Sequence, residues 1–228
     1  MYIGRIMHTD LITVAPETTL VEARDLIAVK QIEHLLVVNK KGKLAGIVSD
    51  RDLKQNWASP ATTLSTHELH YLLQKVQVSM IMVKTVVTVS PDTTIERAAY
   101  IMQTHNISAL PVMAGEELVG IVTSTDVMAV LLQAIGMSDD SVRLGVLVDD
   151  AIGRLADVTA ILKEAQINIQ SFFCWPARDY PEISHLVMRV ARKDGAAAIQ
   201  VLEQRGYRVL TRYEKDITLF LPQPKAKG

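Results

Sequence analysis

Leu44-Ala45-Gly46-Ile47-Val48-Ser49-Asp50-Arg51-Asp52 returns later in the chain as Leu118-Val119-Gly120-Ile121-Val122-Thr123-Ser124-Thr125-Asp126. In both stretches an apolar run ends on a hydroxyl, and an aspartate follows three residues on. Upstream, Ile6-Met7 and Thr13-Val14-Ala15-Pro16-Glu17-Thr18-Thr19-Leu20 return as Ile81-Met82 and Thr88-Val89-Ser90-Pro91-Asp92-Thr93-Thr94-Ile95. The offset is 75 residues in the upstream block and 74 in the downstream one, so one residue was lost between Val38 and Leu44. A match that survives a deletion and returns to the same residue types is an internal repeat: residues 6–52 recur at 81–126.

Each copy reads β-α-β-β-α. The first strand is expected over Leu11–Val14 and Val86–Val89, stopped by Pro16 and Pro91, because proline donates no ladder bond and restricts its predecessor. Thr18-Thr19-Leu20-Val21-Glu22 has the hydroxyl and following glutamate of a helix start. Leu20, Ala23 and Ile27 then follow at helical spacing, as do Ile95, Ala98, Ala99 and Met102 in the second copy. Two short runs, His34–Val38 and Leu44–Val48, flank Asn39-Lys40-Lys41-Gly42, which suits a hairpin turn. Both are almost wholly apolar, as strands covered on both faces should be. A closing helix is expected from near Asp52 and Asp126. Between the copies, residues 59–65 read as a loop and a helix is expected around Thr66–Val76.

The strand-to-helix junction suggests chemistry. A helix start offers free N–H groups and positive partial charge, which attract a phosphate, and the Ser49 or Thr123 hydroxyl adds a donor. Asp52 or Asp126 could accept from both vicinal hydroxyls of a ribose, as acidic residues do elsewhere. The same residues also read as plain helix caps with no ligand. Spacing alone leaves both readings open.

From Val142 the pattern changes. Val142–Val148 alternates like a strand, Asp149–Ala156 turns into a helix, and Ile167–Phe173 is a strand. A breaker-rich stretch, Trp175–Pro181, is expected as a loop before a strand over Ser184–Val190. A helix near Gly195–Gln204, stopped by Gly206, and a last strand over Tyr207–Tyr213 complete βαββαβ, a ferredoxin-like unit.

The order of elements, the proline ahead of each first helix and the twofold Gly-h-h-[Ser/Thr]-x-x-Asp closely resemble a tandem pair of CBS domains over residues 1–135. The resemblance implies that an adenine slots between the first strand and a hairpin strand of a repeat. The candidates are Thr13 with His34, Leu35, Leu36 and Val37 in one copy, and Thr88 with Ala109, Leu110, Pro111 and Val112 in the other. Backbone groups would read the base edge. Core packing is the alternative reading of the apolar side chains. Pro111 keeps the family's proline, whereas the first copy has Leu36. The implied ligand is AMP, ADP, ATP or a related adenosyl compound. Arg51, beside Ser49 and Asp52, favours a longer polyphosphate at the first site. Thr125 stands there beside Thr123 and Asp126, and Arg51 also reads as a solvated surface residue.

Residues Leu147–Leu155 with Gln166–Ile169 are similar to the ACT domain, an amino-acid-sensing module. The resemblance carries over to Asp150, Gly153 and Asn168 as residues near an effector at a subunit interface. Ile152 stands where that family usually has proline, and a purely structural turn at Gly153 is the other reading. The domain's sheet edges could also serve dimerisation. The order over the whole chain resembles the acetoin utilization AcuB-like proteins. The expected fold class is α+β / α/β, a tandem pair of βαββα CBS repeats plus a ferredoxin-like ACT-like domain. Expected boundaries are 1–56 and 79–137 for the repeats, 57–78 for a linker with a short helix, 138–216 for the ACT-like domain and 217–228 for a tail.

Composition narrows the function classes. Of 228 residues, 24 are Lys or Arg against 25 Asp or Glu, which argues against wholesale binding to nucleic acid or an anionic membrane. No apolar run approaches the ~18 residues of a membrane span, and the start lacks the basic and long apolar regions of a signal peptide. The single cysteine, Cys174, fits a reducing cytoplasm. His8, His67, His70 and His105 lie at no metal-ligand spacing and read as ordinary histidines, so no metal is expected. No nucleophile–base pair, GxGxxG or P-loop lysine is present. The expectation is a cytoplasmic, homodimeric, non-catalytic ligand sensor with a metabolic protein partner. The alternative is a dimerisation or adaptor protein whose modules bind no ligand.

Overall fold

The computed structural model describes residues 1–57, 65–177 and 179–222, and for Thr66, His67, Leu69 and His70 the backbone alone. The loop expected over 59–65 therefore lies outside the described residues except for Ser65, as does the polar tail from residue 223. The chain divides into two compact units, Met1–Met128 and Ala129–Gly228.

In the first unit the repeated order is present twice. β1 (Thr13–Val14) runs parallel to β2 (His34–Val38), which pairs antiparallel with β3 (Leu44–Ser49). α1 (Leu20–Lys30) joins β1 to β2, and α2 (Asp50–Gln55) closes the copy. α3 (Thr66–Leu73) and α4 (Val78–Ile81) lead to the second copy, with α5 (Ile95–His105), the hairpin of β4 (Ala109–Ala114) and β5 (Glu117–Thr123), and α6 (Ser124–Ala134). Thr19 begins α1 with a capping box: Glu22 N–H donates to its hydroxyl at 3.2 Å, and Thr19 N–H donates to the Glu22 carboxylate at 2.8 Å. Leu20, Ala23 and Ile27 are buried, as are Ile95, Ala98 and Met102, so the helical spacing does mark the inner face.

The first strands are shorter than the sequence suggested. Over 11–14 only the last two residues are strand, and over 86–89 a single parallel bridge remains, Val89 to Val112. Pro111 stands in β4 where Leu36 stands in β2. Having no N–H, it cannot donate the next rung of that ladder.

The two copies are crossed at their edges. His8, in the lead-in to the first copy, bridges Ile121 of β5, with N–O distances of 2.9 and 3.0 Å. Val83, in the lead-in to the second, bridges Ile47 of β3 at 2.9 and 3.1 Å. The repeated glycine makes this approach possible. A Cβ on Gly46 would fall 2.7 Å from Met82 Sδ and 2.9 Å from Val83 O, and one on Gly120 would fall 2.6 Å from Met7 Sδ.

The second unit is a four-stranded antiparallel sheet in the order β7-β8-β6-β9, formed by β6 (Ser141–Asp149), β7 (Ile169–Ala177), β8 (Tyr180–Ala191) and β9 (Val209–Leu210). α7 (Arg154–Glu164) and α8 (Gly195–Gln204) cover one face, where Leu144, Val146, Val148, Leu162 and Leu202 form its core. The stretch 175–181, expected as a loop, is strand up to Ala177 and again from Tyr180. Pro176 is tolerated because β7 is an edge strand with a register shift at that point. The last strand, expected over 207–213, is only two residues long.

Candidate ligand-binding clefts

Both junctions singled out by the repeat have one geometry. The closing helices begin at Asp50 and Ser124, two residues earlier than the sequence suggested, so Ser49 is the N-cap and Asp52 the third helical residue. Ser49 donates from its amide at 2.8 Å and its hydroxyl at 2.6 Å to Asp52 Oδ2, and Asp52 N–H donates back to Ser49 Oγ at 3.2 Å. Thr123 and Asp126 repeat this at 2.8, 2.6 and 3.3 Å. Each hydroxyl and one carboxylate oxygen are thus engaged within the turn. The other oxygens differ: Asp52 Oδ1 has no hydrogen bond among the described residues, whereas Asp126 Oδ1 meets His8 Nε2 at 3.0 Å. Burial pushes the Asp126 carboxyl up, but bonds from Thr123 and then His8 outweigh it and hold the group below the usual aspartate range.

Two clefts open beside these junctions, and each draws one wall from each repeat. The larger, of ≈ 740 Å³, sets Ile32, His34 and Leu36 of the first copy against Ile121, Thr123 and Thr125 of the second, with His8–Asp10 along one side. The smaller, of ≈ 360 Å³, sets Ile107, Ser108 and Ala109 of the second copy against Ser49, Arg51 and Asp52 of the first, with Val83 in the place of His8. Glu33 and His34 line both clefts, and His34 Nε2 lies 3.0 Å from Ser108 Oγ. Burial lowers the His34 pKa, against the pull of Glu33 and Asp52.

The residues expected from the sequence are sorted accordingly. His34, Leu36 and Thr123 line the larger cleft, and His34, Ser49, Arg51, Asp52 and Ala109 the smaller. Asp126 meets the larger cleft through His8. Leu35, Val37, Leu110 and Val112 are fully buried, Pro111 is buried within β4, and Thr13 and Thr88 are exposed outside both linings. Sequence reasoning missed His8, which it read as an ordinary histidine, together with its neighbours Thr9 and Asp10, Val83, and the turns at residues 31–33 and 106–108. The exchange of His8 for Val83 between the copies is the signal that could have found His8. The side chains of His67 and His70 lie outside the described residues. Among the described residues no cluster of His, Cys, Asp or Glu has the arrangement of a metal site, and no helix is long and apolar enough to cross a membrane.

In the second unit, Gly153 begins α7 at φ 91°, in the left-handed region that favours glycine. Asp150 Oδ1 accepts from Ser184 Oγ at 3.1 Å, and Asn168 is exposed just before β7. One cavity of this unit, ≈ 160 Å³, lies instead among Asp149, Arg154, Arg205, Tyr207 and Arg208. Two shallower hollows, of ≈ 490 and ≈ 250 Å³, lie beside Val209 and Phe220, and none of the three includes Asp150, Gly153 or Asn168. The arginines of the first cavity are engaged: Arg154 with Asp149 at 3.0 Å and Asp157 at 3.5 Å, Arg205 with Glu164 at 2.7 Å, and Arg208 with the Leu219 carbonyl.

The CBS domain family matches residues 3–58 and 78–133, and the AHAS small subunit-like ACT domain matches residues 144–205. Both are regulatory, ligand-binding modules. A CBS domain-containing protein of Dictyostelium discoideum is 31% identical over 134 residues, covering 58% of this chain and 92% of that protein. The homoserine O-acetyltransferase of Methanohalobium evestigatum is 34% identical over 127 residues, 55% of this chain, but the match spans only 23% of that enzyme. Among solved structures, a Vibrio cholerae protein assigned to acetoin utilization (AcuB) is 29% identical with a TM-score of 0.48, covering 58% of this chain and 91% of that one. A CBS domain pair in complex with 5′-methylthioadenosine and S-adenosyl-L-methionine is 26% identical with a TM-score of 0.48, covering 57% and 95%. The chain belongs to the CBS-domain proteins, as a tandem CBS pair followed by an ACT-like domain.

Proposed function

We propose that this protein is a regulatory sensor whose CBS pair binds adenine nucleotides (AMP, ADP, ATP or a related adenosyl compound) in the two clefts. In the same reading the ACT-like domain takes an amino acid or other small acid near Asp150, Gly153 and Asn168. A homodimer passes ligand state to a metabolic partner. The observation that carries the proposal is the construction of each cleft: the junction of one repeat (Ser49 and Asp52, or Thr123 with Asp126 behind His8) faces the turn of the other, where an isoleucine, Ile107 or Ile32, stands between polar neighbours. A sugar diol can bond the carboxylate while the base lies against Ile32 and Leu36, or against Ile107 and Ala109. Asp52 Oδ1 is available to a diol as it stands, whereas a diol on Asp126 must displace His8. Volumes of ≈ 740 and ≈ 360 Å³ lie in the range of small-ligand pockets.

Equilibrium binding of AMP, ADP, ATP and S-adenosylmethionine, by calorimetry and thermal shift, tests the reading. A ligand at 100 times its Kd should stabilise the folded protein by about 2.7 kcal/mol. Silence towards every adenine compound would favour an adaptor instead. That second reading draws support from the Ser49–Asp52 and Thr123–Asp126 pairs, which are complete helix starts without any ligand.

A further inference from the structure

The repeat allows the two clefts to be compared position by position. Beside the larger cleft the lead-in reads His8-Thr9-Asp10, and the helix start carries Thr125. The corresponding positions of the other copy are Val83-Lys84-Thr85 and Arg51, of which Val83 and Arg51 line the smaller cleft. Two exchanges among the lining residues therefore move formal charge in one direction: Thr125 of the larger cleft becomes Arg51 in the smaller, and Asp10 of the larger has no carboxylate counterpart there, Thr85 standing at its position. One exchange runs the other way, Ser124 to Asp50, but the Asp50 carboxylate is held by Lys54. Glu33 lines both clefts and does not distinguish them.

The side chains available to a ligand sharpen the contrast. Arg51 lines the smaller cleft, is exposed, and has neither an ion pair nor a hydrogen bond among the described residues. An uncommitted guanidinium is a ready partner for phosphate oxygens. The larger cleft is lined by Asp10 and Glu33 and by no lysine or arginine. A phosphate placed there would meet carboxylates without a compensating fixed cation, and such a mismatch selects against it.

Resting on the nucleotide reading of both clefts, we propose that they sort adenosine compounds by charge. The smaller takes a phosphorylated nucleotide with Arg51 on its phosphate, and the larger takes an adenosine compound whose 5′ arm is cationic. The protein would then compare the levels of two related metabolites instead of counting one.

Calorimetry on the full chain tests the assignment with AMP as the phosphorylated probe, S-adenosylmethionine as the cationic probe and adenosine as the uncharged one. AMP and S-adenosylmethionine are expected to bind together without displacing one another. Arg51→Ala, at an exposed position, should weaken AMP roughly tenfold to a hundredfold, the scale of one charge-assisted hydrogen bond, and leave S-adenosylmethionine and adenosine unchanged. Thr125→Arg combined with Asp10→Asn, also exposed positions, should add a second AMP site and weaken S-adenosylmethionine. Mutual displacement of the two probes by the wild-type protein, or AMP affinity unmoved by Arg51→Ala, overturns the sorting while leaving nucleotide binding intact. Failure of all three probes to bind overturns the nucleotide reading as well.

Discussion

Asp126 has two duties in this structure, and they can be separated. Its Oδ2 completes the start of α6 with Thr123, and its Oδ1 holds His8 at the wall of the larger cleft. Asp126→Ala should weaken the adenosine compound bound there by roughly tenfold to a hundredfold. Asp126→Asn keeps the shape of the cap but not the charge, so a full loss in the alanine variant with little in the asparagine one would assign the effect to the cap. A second residue reports on pH. Burial first, and then the charge of Arg143, hold His185 below the ordinary histidine value, and its Nε2 is buried with no partner among the described residues. Above the ordinary value neither state carries the proton and nothing is lost. As pH falls below it the unfolded chain is protonated first, so stability declines until pH has passed through the lowered folded value. Thermal melts between about pH 7.5 and about pH 5.5 should show this decline, and His185→Gln should flatten it; an unaltered slope would clear His185 of the effect. The junction residues were legible in the sequence because the repeat prints them twice. His8 was not, because its partner lies 118 residues away and no local pattern joins them.

At the scale of elements, the repeated glycines are where sequence and packing meet. Gly46 and Gly120 occupy equivalent places in β3 and β5, yet their surroundings differ in how far they can yield. A methyl group on Gly46 would press on the Val83 carbonyl as well as Met82, whereas on Gly120 its three nearest neighbours are all atoms of the Met7 side chain. Gly46→Ala should therefore destabilise by about 1–3 kcal/mol, the usual cost of overpacking, and Gly120→Ala by less. Urea unfolding measures both, and Met7→Ala should relieve the Gly120 variant; equal costs at the two sites would refute this account. The long helices and the hairpins of the first unit followed from spacing, caps and turn composition, whereas the single turn α4 did not. Nor did the short first strands. In the first copy Leu36 removes no rung and does not explain the shortness of β1. In the second the strand is reduced to one bridge, because the rung removed by Pro111 is a property of the partner strand. Likewise the breakers at 175–181 read as a loop until Pro176 is seen on an edge strand.

At the scale of the molecule, the first unit places two clefts on either side of a shared wall. Glu33 and His34 line both, and His34 is tied to Ser108 of the smaller one. Filling one cleft should thus change affinity at the other, reciprocally and by a factor within the usual range of about 5 to 150. His34→Ala should bring that factor towards one in paired titrations, and coupling that survives the substitution would place its route elsewhere. The sequence disclosed two copies of a unit but not that each cleft is assembled from both, because only the fold brings residues 31–36 to Thr123 and 106–109 to Ser49. The crossed lead-ins extend that dependence to the birth of the protein. Neither copy has all its hydrogen-bonding neighbours until the ribosome has delivered Ile121, and a fragment ending after Trp57 would leave β3 without the segment around Val83, its rim bare to any passing strand. Two chains could also satisfy these bridges by trading segments with no loss of contacts, so the arrangement that binds the copies into one body also leaves a cheap route to entangled dimers.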